Sequence, residues 1–465
     1  MEPREENPSP GREEVAGGGL LRRLGLFDCT MIVMGTIIGA GVFNTPKAIA
    51  AQMGSLWGVV GIWVLGGFFA MCGALVFSEL GSLFPRAGGQ YVFLREGLGR
   101  FVAFLFGWLL LSAINSGAIA YVANVFVDHL EKLLAFTGHD PAWTPLQTRF
   151  VAMAGIVVLA LINMRGVRLG ATVQNVAMLT KIAGIATIIV LGALVTAGFL
   201  APSAPPSTAE HAFGWGGVGA SLLAVAFTYG GFQNVTAVAG EVRNPSRTIP
   251  LGIMIGVLLV IGLYVAMNAS LIAILGVEGV AATKTPAAAA AGRVVAWGEP
   301  VVAGLVMIST LAITQALLFV TPRIYYAMAL DGMFLKPAGY LHPRWRTPIV
   351  AIGLQASFGI LHIFLGKTLD LMEMTEIVDA SFFVLCGVAL FVFRARGVGD
   401  ASAYRCWGYP WIPICFILAA LAAVASGVFA AKREAVEHAA WMVAAGIVLY
   451  FALRFVDRRR ASSAR

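Results

Sequence analysis

Charge is scarce in this sequence: 12% of its 465 residues are Asp, Glu, Lys or Arg, against 59% hydrophobic. A chain so poor in charge cannot cover a soluble globule, and runs of about 20 apolar residues, the length that crosses a bilayer, recur along it. Cysteine is scarce too. Cys29, Cys72, Cys386, Cys406 and Cys415 lie in or beside apolar runs without a C-x-x-C pair, so neither a disulfide framework nor a zinc site is supported. No nucleophile–base pair, metal-ligand spacing or phosphate-binding loop stands out, which makes a membrane enzyme the weakest reading and calls for no cofactor. Residues 1–20 lack an apolar run, so no signal peptide is expected, and 1–24 read as a disordered tail. The net charge of +8 does not point to nucleic acid, because the basic residues cluster in short loops between apolar runs.

What is present is an all-α, polytopic membrane pattern of about twelve spans. They are read at 28–52, 57–81, 100–130, 148–164, 171–198, 215–240, 248–276, 299–331, 347–365, 369–396, 409–431 and 436–457. Roughly 22 basic residues, among them Arg22, Arg23, Arg86, Arg95, Arg165, Arg243 and Arg394, fall on one side against about 7 on the other, which puts both termini in the cytoplasm. Residues 458–465 form a basic tail there. The stretch after Pro85-Arg86-Ala87-Gly88-Gly89 reads as a short interfacial helix.

Two spans are poor continuous helices. In the first, Gly39-Ala40-Gly41 followed by Pro46 weakens helix propagation near mid-membrane. In the sixth, Tyr229-Gly230-Gly231-Phe232-Gln233-Asn234 does the same, and the Tyr229 hydroxyl needs a partner at membrane depth. Each alone suits close helix approach as well as binding. Ala40 and Gly230 lie about 190 residues apart, five spans of ordinary length, and breaks at corresponding places in two halves point to a transporter site at a repeat interface. An odd number of spans per half inverts the second half (215–396) relative to the first (28–198). Half-helix N-termini offer bare N–H groups to a carboxylate, and half-helix C-termini offer carbonyls to an ammonium. An α-amino acid carries both.

Ionisable residues inside spans are few. Lys181 lies roughly 15 Å into span 5, too deep for easy snorkelling. It is either a fixed ammonium that holds the broken backbone of span 1 in place of a sodium ion, or a group that loads and releases a proton. Glu241, at the helix end before Arg243-Asn244-Pro245, is either a gate residue with a cationic partner or a solvated loop residue. Glu373, Glu376 and Asp379 read better as a wet helix end than as the lining of a vestibule. With no acidic anchor evident beside Phe227, cationic substrates are disfavoured.

Gly35-Thr36-Ile37-Ile38-Gly39-Ala40-Gly41-Val42-Phe43, Phe227-Thr228-Tyr229-Gly230-Gly231-Phe232 and Glu241-Val242-Arg243-Asn244-Pro245 closely resemble motifs of the amino acid–polyamine–organocation (APC) superfamily. Asn163-Met164-Arg165-Gly166 through Lys181, and Thr321-Pro322-Arg323-Ile324-Tyr325-Tyr326, resemble its L-type amino acid transporter branch. The resemblance spans about residues 25–455. It implies a five-plus-five inverted repeat with two extra helices (409–457) and broken helices 1 and 6. It assigns the substrate carboxylate to the backbone of Ile37, Gly39, Ala40 and Gly41, and the amino group to carbonyls of Phe227, Thr228 and Gly230. Phe227 closes over the ligand, and Lys181 replaces a sodium site. Asn115, Phe382 and Phe383 become candidate pocket residues. The family's bulky Trp after Tyr-Gly-Gly is Phe232 here, and the loop 131–149 holds no cysteine for a disulfide-linked heavy chain.

The expectation is thus a sodium-independent secondary transporter of neutral amino acids in the cell membrane, working by exchange or proton symport. The alternatives are a polyamine or cationic amino acid carrier, which needs acidic pocket residues, and a receptor that binds an amino acid without moving it.

Overall fold

Among the described residues, twelve candidate membrane-crossing units follow one another, two of them interrupted. The computed structural model describes residues 19–39, 41–138, 143–206, 215–365, 368–399, 403–430 and 433–463. Among these, ten helices are long and apolar enough to cross a membrane, and Leu26–Ile37 and Ile349–Leu365 are shorter apolar helices. The first unit is α1 (Leu26–Ile37) with α2 (Gly41–Met53), and the second is α3 (Leu56–Leu83). The short α4 (Gln90–Gly97) leads into the third: α5 (Arg100–Leu109), a π-helical turn at Leu110–Ile114 and α6 (Asn115–Phe136). Next come α7 (Pro145–Met164) and α8 (Val167–Thr196). The sixth unit is α9 (Trp215–Thr228) with a 3-10 helix at Phe232–Glu241, followed by α10 (Pro245–Leu275). After α11 (Val277–Ala282) and α12 (Pro286–Val294), α13 (Gly298–Val320) and α14 (Pro322–Leu330) make the eighth. Finally come α15 (Ile349–Leu365), α16 (Thr368–Ala395), α17 (Trp411–Ala430) and α18 (Arg433–Ser463).

Local chemistry sets many of these starts. Ser55 caps α3 by accepting the Gly58 N–H at 3.1 Å. Thr144 and Gln147 form a reciprocal capping box at the start of α7, with Pro145 in the first turn, where its missing N–H costs nothing. Asn244, at φ 47°, turns the chain so that Pro245 opens α10.

Three features depart from the sequence reading. The stretch 277–294, between the spans read at 248–276 and 299–331, forms α11 and α12, which cover α2 and α13. Span 3 contains a π-helical turn, and the second half of span 6 is a 3-10 helix. The helix expected at the interface, α4, instead buries Tyr91, Val92, Phe93 and Leu94 inside the protein.

Contacts between spans follow a rule. The first half of span 1 (α1) meets the second half of span 6, and α2 meets α9. Likewise α3 lies against α10, α6 against α13, and α7 against α15. Each of the first four spans therefore touches the span five places later. By contrast α17 and α18 stand outermost, with Phe429, Trp441 and Phe451 exposed, as suits side chains facing lipid.

Candidate functional site

The first helix stops where its sequence stops favouring helix. Ile38 leaves helical geometry (φ −72°, ψ 94°), although its N–H still reaches Met34 O at 2.8 Å. Ala40, a central residue of the reading above, lies outside the described residues, and helix resumes at Gly41. Carbonyls freed by a break at membrane depth need donors. Lys181, 2% exposed, supplies them: its Nζ donates to Ile38 O at 2.6 Å and stands 3.4 Å from Gly35 O. The Ile37 carbonyl accepts from the Tyr264 hydroxyl at 3.2 Å.

The second break spans Tyr229 to Gly231. Gly230 N–H closes a turn onto Phe227 O at 3.0 Å, and Gly231 adopts φ 110°, a conformation open to glycine. Gly231 N–H is held by Gln233 Oε1 at 3.1 Å. The Tyr229 hydroxyl finds the partner that membrane depth demands, donating to Trp63 O at 3.2 Å. Tyr264 also lies 3.4 Å from Thr228 O, so a single hydroxyl reaches both breaks.

The breaks touch directly. Thr36 Oγ1 lies 2.9 Å from Gly231 O, and Thr45 Oγ1 lies 3.0 Å from Thr228 Oγ1. A methyl group on Gly231 would stand 2.4 Å from Thr36 O, whereas one on Gly230 would meet only Phe227 O, at 3.2 Å. Gly231→Ala is therefore expected to cost about 1–3 kcal/mol in strain and to lower both thermal stability and uptake far more than Gly230→Ala. Equal effects of the two changes, measured side by side, would remove the close approach as their cause.

A cavity of about 300 Å³ opens beside the breaks. Thr36, Phe227, Gly230 and Gly231 form one part of its wall, and Asn115 and Phe383 contribute from spans 3 and 10. Ile37, Gly39 and Gly41 belong to the first break but are not among the lining residues. Nor is Phe382, whose ring packs edge-on against Phe106 at 5.1 Å. The side chains of Glu373 and Glu376 lie outside the described residues. Asp379 lines the cavity together with Phe227, which corrects both the wet-helix-end reading and the view that no acidic group stands near Phe227.

Glu241 is not a solvated loop residue. It and Arg323 are both 0% exposed and form a buried ion pair, with Nη2 at 3.1 Å from both carboxylate oxygens and Nε at 3.2 Å from Oε1. The Glu241 carbonyl accepts the N–H groups of Arg23 and Leu24, both at 2.9 Å. One residue thus joins the segment before α1, the end of span 6 and α14. Nearby, Asp331 binds the Tyr91 hydroxyl at 2.8 Å and pairs with Arg95. Burial pushes the Glu96 carboxyl up, but Arg95 and Arg86 outweigh it and hold this group below its ordinary value.

Sequence reasoning missed Tyr264, Thr36 and Arg323. A hydroxyl at membrane depth was the signal used for Tyr229, and it applies equally to Tyr264.

A family model described as amino acid permease matches residues 24–453. The chain belongs to this family. The permease is thus an APC superfamily member, a multi-pass membrane transporter and not an enzyme. It is 29% identical over 406 residues to the serine/threonine exchanger SteT of Bacillus subtilis, covering 86% of this chain and 89% of that one. It is 28% identical over 391 residues to the human b(0,+)-type amino acid transporter 1, covering 84% and 80%. The branched-chain amino acid permease BcaP of Bacillus subtilis is 28% identical over 451 residues, covering 93% of each chain.

Proposed function

We propose that the permease is a sodium-independent amino acid exchanger whose substrate lies in the cavity beside the two breaks. The observation that carries this is the Lys181 ammonium, 2.6 Å from Ile38 O. It fills with a fixed positive charge the place where a broken helix offers carbonyls to a cation, so the first break needs no sodium ion. A group spent on holding backbone is poorly suited to shuttling protons, which favours exchange over symport. The α-carboxylate reaches from the cavity toward the amide end of α2, where the family motif assigns it to the backbone of Gly39, Ala40 and Gly41. The amino group lies at the carbonyl end of α9, where Phe227 O and Thr228 O each keep a second lone pair beyond their internal bonds. Phe227, half-buried in the cavity wall, covers the ligand.

Neutral side chains suit the wall, which is largely apolar apart from Asp379, and the names of the serine/threonine exchanger and the branched-chain permease support that class. The contacts of spans 1 to 4 with spans 6 to 9 support an inverted repeat of 28–198 and 215–396, with 409–457 added outside it. The charge bias of the loops supports cytoplasmic termini and a cell-membrane location. None of the five cysteines is exposed, so a disulfide-linked partner chain is not part of the proposal. Glu241 and Arg323 form the gate at the end that carries the basic loops.

Proteoliposomes preloaded with unlabelled L-serine or L-leucine, with sodium absent, are expected to take up the labelled amino acid. Empty vesicles with an inward proton gradient are expected to take up less by about tenfold or more, because an exchanger without internal substrate has nothing to return. Uptake that needs the proton gradient and ignores preloading would replace exchange with symport, and no uptake under any gradient would end the transport reading.

A further inference from the structure

Asp379 is the only ionisable side chain among the described residues that line the central cavity. It lies eleven residues into α16 (379 − 368), well inside the span. One helical turn on, Phe383 stands on the same face, about 6 Å along the axis. The Phe383 ring stacks on that of Phe232, the residue directly after the second break, with centroids 6.0 Å apart and planes at 21°. The carboxylate therefore shares the cavity with the second break and stands one helical turn from a ring that stacks on the residue after that break. No hydrogen bond or ion pair among the described residues satisfies it. Asn115, in the same wall, is already committed, its Nδ2 donating to Thr321 Oγ1 at 2.9 Å, and Lys181, which does not line the cavity, is bound to the first break. A carboxylate in such surroundings is costly unless something positively charged meets it.

We propose that Asp379 is the specificity-determining residue for the substrate's side chain, binding the terminal ammonium or guanidinium of a cationic amino acid whose α-groups lie at the breaks. This deepens the proposed function and rests on its placement of the substrate. Zwitterion and side chain are then read by different elements: spans 1 and 6 bind what all amino acids share, and span 10 binds what distinguishes lysine, ornithine and arginine. The subsite admits neutral side chains as well but gives them no charge to meet.

The test uses the purified full-length protein in proteoliposomes, with labelled L-leucine and L-serine as probes and L-lysine, L-ornithine and L-arginine as competitors. In the wild type the cationic amino acids compete. In Asp379→Asn the ratio of lysine to leucine inhibition is expected to fall about tenfold or more, equivalent to ~1.4 kcal/mol. Asp379→Glu, which keeps the charge, is expected to recover part of it. An unchanged ratio in Asp379→Asn, or wild-type protein indifferent to all three cations, overturns the proposal while leaving the site at the breaks intact. So does acidification of the vesicle lumen during wild-type leucine uptake that Asp379→Asn abolishes, since Asp379 would then be a proton site. Cadaverine, which lacks the α-carboxylate, separates the two readings: if it competes as well as lysine, the placement of the substrate at the breaks fails instead. Elution of both variants at the wild-type position in size exclusion checks that they are folded.

Discussion

Uptake by Lys181→Ala is expected to fall about a hundredfold or more, whichever gradient drives it. The change removes the donor at 2.6 Å from Ile38 O and leaves that carbonyl, and Gly35 O beside it, without a cation among buried residues. An abandoned buried acceptor costs about 1–3 kcal/mol, and two together cost about 2–6 kcal/mol, a range that takes in the ~2.7 kcal/mol of a hundredfold change. Loss of the ammonium also lets residues 38–41 relax, and the orientation of the amides at the start of α2 depends on where those residues lie. Lys181→Met, which keeps most of the side-chain volume, is expected to be equally poor, so that filling a void is not the explanation. The readout is initial-rate exchange by protein that still elutes as a single species. Rates within about twofold of wild type would remove the lysine from the site, since that margin is ~0.4 kcal/mol.

The second large effect concerns stability. Arg323→Ala leaves the Glu241 carboxylate fully buried without the guanidinium that pairs with it, and breaking one side of a buried pair costs about 3–5 kcal/mol. That is a large fraction of the ~5–15 kcal/mol that holds most folded proteins together. The variant is expected to lose most of its monodisperse fraction after mild heating in detergent. Replacing both members, Glu241→Gln with Arg323→Met, removes the stranded charge and is expected to recover most of that loss. The recovered protein should nevertheless exchange substrate poorly or leak it, because the joint between the segment before α1, span 6 and α14 has lost its charge pair. A double variant as unstable as Arg323→Ala would mean that the cost comes from the cation–ring contact of Arg323 with Phe319, at 4.6 Å, or from lost volume.

What could be read from the sequence was whatever a residue does to its own backbone. Gly39, Gly41, Gly230 and Gly231 interrupt their helices through conformational freedom that each carries with it, so the breaks were visible without any partner. The spans were visible for the same reason, as runs of apolar residues with polar loops between. Partnerships were not. Tyr264 reaches Ile37 from 227 positions away, and Arg323 meets Glu241 across 82, and nothing local announces either. Asp379 was misjudged for a related reason. Its distance from the start of an apolar run suggested a wet helix end, but its place in the cavity wall is set by how α16 lies against spans 2, 3 and 11. The π-helical turn at Leu110–Ile114 and the 3-10 form after Gly231 leave no pattern in hydropathy at all.

Glu241 offers its carboxylate to Arg323 and its carbonyl to Arg23 and Leu24 at the same time. Because one residue carries both contacts, moving it strains both at once, so that end of the protein is not expected to open by degrees. Its unlatching should be abrupt and carry a steep activation enthalpy. Pulling on the chain before Leu20, through a bulky fusion for example, should then alter how often the far side of span 6 lets go.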